Sequence, residues 1–466
     1  LYNREGFDLY PQRKGAISMQ INPGIFKAYD IRGIYPTDLN EDGAYAIGRA
    51  FVTFLKPETV VVGHDMRLSG PSLFERVTRG IMDQGADVIN IGLVSTDQFY
   101  FACSTFGLPG MMVTASHNPK QYNGFKMVRQ MPYLLSGSEG IQDLRAIVEQ
   151  DAFAPATRTG TMRSADLSEQ FIDAVINLID VEVLRSADLK VIADTGNGTV
   201  GPILQRVYQR LPVSLIGMYL EPDGSLPNHG LDPLQPENRA ELEARVISEG
   251  AAAGFAFDGD GDRFFTIDDR GQFVSGDYMT ALLGQYLLTK KPGSKIVYDV
   301  RASWAVRDLI SASGGTPLME RVGHAFIKRR MANEEALFGG EVTGHYYFQD
   351  FNYADSGLIP SLLIMEMIAK TGKKMSELLI PLEEKYFISG EINSTVADPK
   401  AKMALLAERY ADGQVEHLDG ISVTYPTWHF NVRASNTEPL MRLNLESMDK
   451  AEMQQRRDEV LAIIRG

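Results

Sequence analysis

The sequence predicts a multi-domain α/β protein, and three observations carry that prediction. The chain has 466 residues, too many for one hydrophobic core and enough for about three or four domains. Over most of its length, short apolar runs of strand character alternate with helical stretches, the order of mostly parallel sheets. From about residue 386 the texture changes to closely spaced strand-like runs and one terminal helix. On this reading residues 1–20 are an arm or tag remnant. Residues 21–165, 166–270 and 271–385 are α/β domains, and 386–466 is a smaller C-terminal α+β domain.

Composition narrows the class. Apolar residues make up 44% and charged residues 23%, with no low-complexity tract, as in ordinary globular proteins. No run approaches the roughly 18 apolar residues of a membrane span. The first twenty residues mix charges and aromatics, so no signal peptide is expected and the cytoplasm is the expected location. Cys103 is the single cysteine, which rules out an internal disulfide or a cysteine-rich metal site. The net charge of −14 comes without any long basic tract, so nucleic acid is not an expected partner. An anionic small substrate would need arginines and lysines to reverse the sign locally.

In the first domain, Phe26 to Tyr35 places Arg32 just before a glycine. A helical pattern follows from Glu41 to about Leu55, then a strand-like Val60-Val61-Val62-Gly63, a helix from about Pro71 to Gln84 and a strand from Ala86 to Ile91. Met111-Met112-Val113 then stops abruptly at Thr114-Ala115-Ser116-His117-Asn118-Pro119, as a buried strand does when it delivers a polar loop. Pro119 restricts Asn118 to extended geometry, and Gly124 permits a tight bend. The loop holds one hydroxyl, Ser116, with an imidazole beside it and Lys126 ten residues on. A serine needs a base, a metal or a neighbouring cation to act as a nucleophile. Alternatively, Ser116 caps a helix.

The second domain opens with a helical stretch from Ser168 to about Leu184. Lys190 to Thr199 follows, a strand entering a glycine turn that lacks the spacing of a phosphate loop. A later strand pattern ends in Asp258-Gly259-Asp260-Gly261-Asp262-Arg263. Three carboxylates alternating with glycines suit a hard divalent cation such as Mg²⁺. An EF-hand fails on position, because Arg263 stands where its glycine belongs and Asp269 where its glutamate belongs. A solvated acidic turn is the plainer alternative, opposed by the mutual repulsion of close carboxylates. Arg263 suits a phosphate oxygen.

The third domain carries the strand-like Lys295 to Val300 followed by Arg301, then Arg321-Val322-Gly323-His324. Ala336-Leu337-Phe338 opens into Gly339-Gly340-Glu341-Val342-Thr343-Gly344-His345. On an extended segment Glu341 and Thr343 would share a face, a pair fit for vicinal sugar hydroxyls or simply two polar loop residues. The last domain runs short strands from Val415 to Leu445 and a helix from about Lys450. Between strands lies Arg433-Ala434-Ser435-Asn436-Thr437-Glu438-Pro439, an oxyanion nest with a bidentate arginine.

Each domain thus ends one strand in a polar loop of distinct chemistry, and four such ends could meet at one cleft. Arg32, Lys126, Arg263, Arg301 and Arg433 would then supply the local positive charge. The combination TASHNPKQYNGFK, FDGDGDR, GEVTGH and RASNTEP resembles the α-D-phosphohexomutase superfamily, specifically its phosphomannomutase/phosphoglucomutase branch. The match runs from about residue 24 to near the end of the chain, in the family's order and spacing.

The resemblance implies three related α/β domains and a smaller fourth around a central cleft. It implies interconversion of hexose 1-phosphate and hexose 6-phosphate through a phosphoserine at Ser116 and a hexose 1,6-bisphosphate. Asp258, Asp260 and Asp262, with an oxygen on Ser116, would hold Mg²⁺. Lys126 and His324 resemble the acid/base candidates, and Tyr29, Arg32 and Arg263 stand at active-site positions. Glu341, Thr343 and His345 belong to the sugar loop. Arg433, Ser435, Asn436 and Thr437 would bind the phosphate not being transferred, and Arg301 is a further substrate-binding position. Glucose 1,6-bisphosphate or an equivalent is the implied activator, free hexose phosphates are the partners, and a monomer is favoured. Two departures stand out. Glu-Val-Thr replaces the common Glu-Met-Ser, keeping the hydroxyl, and Arg301 stands where lysine is common. The alternatives are an amino-sugar phosphomutase, an Mg²⁺-dependent sugar phosphatase and a non-catalytic phosphosugar-binding protein.

Overall fold

The computed structural model describes residues 21–137, 139–434 and 440–466. The predicted arm of residues 1–20 and the loop residues Ser435, Asn436 and Thr437 lie outside them. Four sheets organise the rest in chain order. In the first, Thr59–His64 pairs in parallel with Asp87–Leu93 and Gly110–Val113, while Tyr122–Gln130 and Ile31–Ile34 close one side antiparallel. In the second, Lys190–Asp194 lies parallel to Ser214–Met218 and Ala253–Phe257, with Phe264–Ile267 antiparallel beyond. The third repeats this with Lys295–Asp299, Thr316–Glu320, Phe338–Gly340 and the antiparallel Tyr346–Phe348. The fourth is antiparallel throughout, centred on Trp428–Ala434 and Leu440–Ser447.

The repetition places the chemistry. In each of the first three sheets an apolar parallel strand runs into a polar loop and returns as its own antiparallel neighbour. The loops are 114–121, 258–263 and 341–345. The alternation of strands and helices accounts for the parallel strands. It gives no sign of these hairpins, which put the second arm of each loop into the same sheet. The helix predicted over Ser168 to Leu184 is broken into Ser168–Ile176 and Val181–Leu184. Asp180, whose carboxylate accepts from the Glu182 N–H at 3.1 Å, starts a new helix there.

One apolar core runs through the first three units, joining Val61 and Phe99 to Phe171 and Phe255 and on to Leu283 and Leu362. The outer face of each sheet has its own smaller core. Among the described residues the fourth unit packs around Phe430, Leu443 and Val460 in a separate core, with Ile388 of its edge strand resting against the core of the first three. Among the described residues no helix is long and apolar enough to cross a membrane.

Candidate active site

Ser116 does not cap a helix, since its loop leads into the strand Tyr122–Gln130. Its backbone is left-handed, with φ 48°, which costs a residue with a Cβ about 1–2 kcal/mol. Its N–H donates to Thr114 Oγ1 at 2.9 Å, and its hydroxyl donates to Asp258 Oδ2 at 2.7 Å. His117 Nδ1 stands 3.2 Å from the same hydroxyl. Burial, reinforced by the Arg263 cation, holds the His117 imidazole well below its ordinary pKa, so it is neutral.

Under the loop lies a group that sequence reasoning passed over. Arg67, 2% exposed, donates from Nη2 to the carbonyls of Ser116 and Asn118, both at 2.7 Å. From Nη1 it donates to the carbonyls of Pro119 and Tyr122 at 2.8 and 3.0 Å. Asp65 holds Nε at 3.1 Å and the Arg67 N–H at 3.0 Å. An Asp-x-Arg directly after a buried strand was the available signal.

The aspartate loop converges as expected. Ligand oxygens of Asp258, Asp260 and Asp262 lie within 4.8 Å of one another, all three side chains buried. Lys126, opposite Met112 in the sheet, donates to Asp260 Oδ2 at 2.7 Å and to Asp262. Thr96 and Thr114 hydroxyls also donate to Asp260 Oδ2, at 2.7 and 3.2 Å. That oxygen is therefore saturated, whereas Asp260 Oδ1 and Asp262 Oδ1 are buried without a hydrogen-bond partner. Burial, and then Asp260 and Asp262, push the Asp258 carboxyl up to about 8. Burial would raise Asp260 too, but Lys126 outweighs it and holds this carboxyl below the usual range. An all-oxygen set with two orphaned buried oxygens fits a hard divalent cation such as Mg²⁺.

Of the two readings of 341–345, extended segment or polar loop, the structure has the loop. It is a turn closed by Gly344 N–H to Glu341 O at 3.0 Å, with Gly344 at φ 82°. Glu341 accepts from the Tyr347 hydroxyl and stands 3.6 Å from Arg301. Thr343 Oγ1 lies 3.5 Å from Arg301 Nη2. Arg301 is buried and forked onto Asp299 at 2.9 Å from both Nε and Nη2. It reaches Glu391 with its other nitrogen at 3.3 Å. Glu391 also meets Arg433 at 3.6 Å and Arg442 at 3.3 Å. Three arginines from two units thus surround one carboxylate, and neither Glu391 nor Arg442 was foreseen.

His345 Nδ1 lies 2.9 Å from Asp355, and its Nε2 accepts from Arg263 Nε at 3.0 Å. Burial disfavours its cation, but Asp262 and Asp355 outweigh this and raise its pKa. His324 stacks 6.4 Å from His345 between ring centres. Burial, with the Lys328 cation, drives its pKa well down. The Tyr29 ring sits edge-on to His324, and its hydroxyl donates to Val322 O at 3.3 Å. Arg32 donates to Asp30 and Asn118.

These groups surround one cavity of about 1100 Å³ between the four units, slightly above the usual range for a small-molecule pocket. Its walls include Tyr29, Arg32, Ser116, Lys126, Arg263, Arg301, His324, Glu341, Thr343, His345 and Arg433, drawn from all four units. Asp262 reaches the cavity, while Asp258 and Asp260 lie behind it.

Models of the phosphoglucomutase/phosphomannomutase family match four segments. The alpha/beta/alpha domains I, II and III match residues 23–155, 169–271 and 275–386, and the C-terminal domain matches 391–463. A phosphomannomutase of Salmonella montevideo is 42% identical over 450 residues, covering 94% of this chain and 98% of that protein. A Xanthomonas campestris protein described as phosphohexose mutases is 41% identical over 445 residues, covering 95% and 99%. The crystal structure of a phosphoglucomutase/phosphomannomutase family protein from Burkholderia thailandensis superposes with a TM-score of 0.87 at 33% identity. It covers 95% of this chain and 97% of that one.

Proposed function

The chain belongs to the phosphoglucomutase/phosphomannomutase family and is a hexose-phosphate mutase. On that premise we infer that it interconverts the 1- and 6-phosphates of mannose or glucose, with the phosphoryl group carried on Ser116. One observation supports this above the others: the Ser116 hydroxyl lies 2.7 Å from Asp258, in a loop where three buried carboxylates converge. A nucleophile beside a cation site is what phosphoryl transfer asks of a protein, because the work is positioning and charge neutralisation.

The phosphorylated Ser116 gives its phosphoryl to the free hydroxyl of the sugar phosphate. The resulting bisphosphate turns end for end, and Ser116 takes back the other phosphoryl. Asp258, Asp260, Asp262 and a Ser116 oxygen would hold Mg²⁺, which when bound neutralises phosphoryl charge. Lys126 and His324 face the cavity as the groups able to hold or give the hydroxyl proton. Arg263 lines the same wall, its Nε fixed on His345 and its N–H on Asp258 Oδ1 at 3.1 Å. Glu341 and Thr343 present acceptor and hydroxyl to the ring. Arg433 and Arg301, with Ser435, Asn436 and Thr437, would grip the idle phosphate. A hexose 1,6-bisphosphate would prime the serine.

The clamp assignment predicts a specific kinetic signature. Arg433→Ala should raise KM for the sugar phosphate by about 10- to 100-fold, the worth of a charge-assisted hydrogen bond, and leave kcat within a few-fold. A kcat effect with unchanged KM would reassign Arg433. The activity itself is tested by ³¹P NMR with Mg²⁺, a trace of glucose 1,6-bisphosphate, and mannose 1-phosphate or glucose 1-phosphate in separate tubes. Conversion to the 6-phosphates is expected, and the rates rank the sugars. Steady release of inorganic phosphate would make the protein a phosphatase instead.

A further inference from the structure

We infer that Arg67 is a positioning residue for phosphoryl transfer, one that sets kcat by holding Ser116 and leaves sugar binding alone. The inference rests on the reading of Ser116 as the phosphoryl carrier.

Its four carbonyl contacts and its Asp65 anchor use all three guanidinium nitrogens. The four acceptors belong to residues 116, 118, 119 and 122, so the fork spans the loop from nucleophile to returning strand. Arg67 is not among the residues lining the cavity, so it meets neither sugar nor phosphate. What it meets is the backbone that aims the hydroxyl. Ser116 sits in a left-handed conformation that a non-glycine residue leaves when unrestrained. Arg67 Nη2 donates to its carbonyl, and Gly259 packs so near the same oxygen that a Cβ there would lie only 2.7 Å from it.

The anchor is also a seam between units. A Cβ on Gly224, in the second unit, would come within 2.4 Å of Met66 O and 2.7 Å of Leu68 N. Gly224 of the second unit therefore packs directly against the backbone that carries Arg67, and the same unit supplies Asp258 to the Ser116 hydroxyl. Arg67 thereby ties the register of the serine loop to the register of the aspartate loop. Lysine cannot substitute, because a point ammonium with three donors cannot span four carbonyls and a carboxylate.

The test compares Arg67→Lys and Asp65→Asn with the parent enzyme in kcat, KM, thermal midpoint and phosphoserine stoichiometry by intact mass. A misaimed nucleophile should cost Arg67→Lys about 30- to 300-fold in kcat, with KM for the hexose 1-phosphate within threefold. Asp65→Asn keeps the fork but loosens its anchor and should cost about 5- to 20-fold. It decides the matter if Arg67→Lys does not fold. Leu406→Ala, in the separate core of the fourth unit, serves as a purely destabilised control that lowers the midpoint and spares kcat per folded molecule. A kcat within threefold of the parent in the folded variants, or a loss confined to KM, would overturn the role of Arg67. If the parent enzyme never carries phosphate on Ser116, the reading of the site fails first, and the inference goes with it.

Discussion

Ser116→Ala is expected to abolish turnover, lowering kcat by at least about 10⁴-fold, as removal of a covalent nucleophile does. The protein should remain folded. The substitution removes a hydroxyl but keeps the backbone bonds that Arg67 and Thr114 make with the loop. Asp258 loses the Ser116 donor but keeps the Arg263 N–H, and all three carboxylates stay in place, so affinity for the divalent cation should change by far less than activity. Two measurements check it: ³¹P NMR of hexose 1-phosphate conversion, and intact mass after incubation with glucose 1,6-bisphosphate. The parent should gain one phosphoryl group and the variant none. Residual activity above a tenth of the parent's would move the nucleophile elsewhere, with His117 the nearest group to examine.

The second large effect concerns Asp258 and runs in opposite directions for activity and stability. Asp258→Asn should cut kcat by about 10²-fold or more, since it weakens both the cation set and the acceptor of the Ser116 hydroxyl. In the metal-free protein the same change should stabilise. Three buried carboxylates face one another with a single ammonium, Lys126, bonded to two of them, and burial with like charge penalises the Asp258 anion most. Replacing it with a neutral isostere relieves that repulsion. Thermal unfolding with a chelator at one fixed mildly alkaline pH should show the variant a few degrees above the parent, roughly what about 1 kcal/mol confers. Saturating Mg²⁺ should reverse the order, because the parent gains more from the ion. Identical midpoints under chelation would mean that the cluster is not under electrostatic strain.

How much of this was readable in advance differs from residue to residue. The loops at 114–121, 258–263 and 341–345 stood out because each packs its polar groups into a few residues directly after an apolar strand. Arg67 offered only its Asp-x-Arg after a buried strand, and Thr96 and Glu391 offered nothing. Thr96 meets Asp260 across 164 positions and Arg301 meets Glu391 across 90, so their roles exist only once the sheets assemble. At 341–345 an extended segment and a loop mouth stood as alternatives, because alternation of polar residues looks the same in both. The residue face depended on Gly344, whose positive φ closes the turn. Local pattern reports what a segment offers, and crossover topology decides what it meets.

The partition of the apolar cores carries a mechanical consequence. Among the described residues, units one to three share a continuous interior, whereas the fourth keeps its own, rests Ile388 on that interior, and meets the third through polar and ring contacts. Among these are Val322 N–H to Asp419 at 3.1 Å, Trp304 N–H to Glu446 at 3.2 Å, and the stack of Trp304 on His429 at 4.6 Å. A packed interior resists shear, and a polar seam yields by exchanging its bonds with water. Three quarters of the cavity wall therefore behave as a single stiff casting, and compliance is concentrated in the remaining quarter. Amide hydrogen exchange should report this as two classes. Strands such as Trp428–Ala434 should open with a lower free energy than Ala253–Phe257, and uniform protection across both would contradict it. A ligand that must turn around inside this enclosure gains its room from the one wall that is fastened rather than fused.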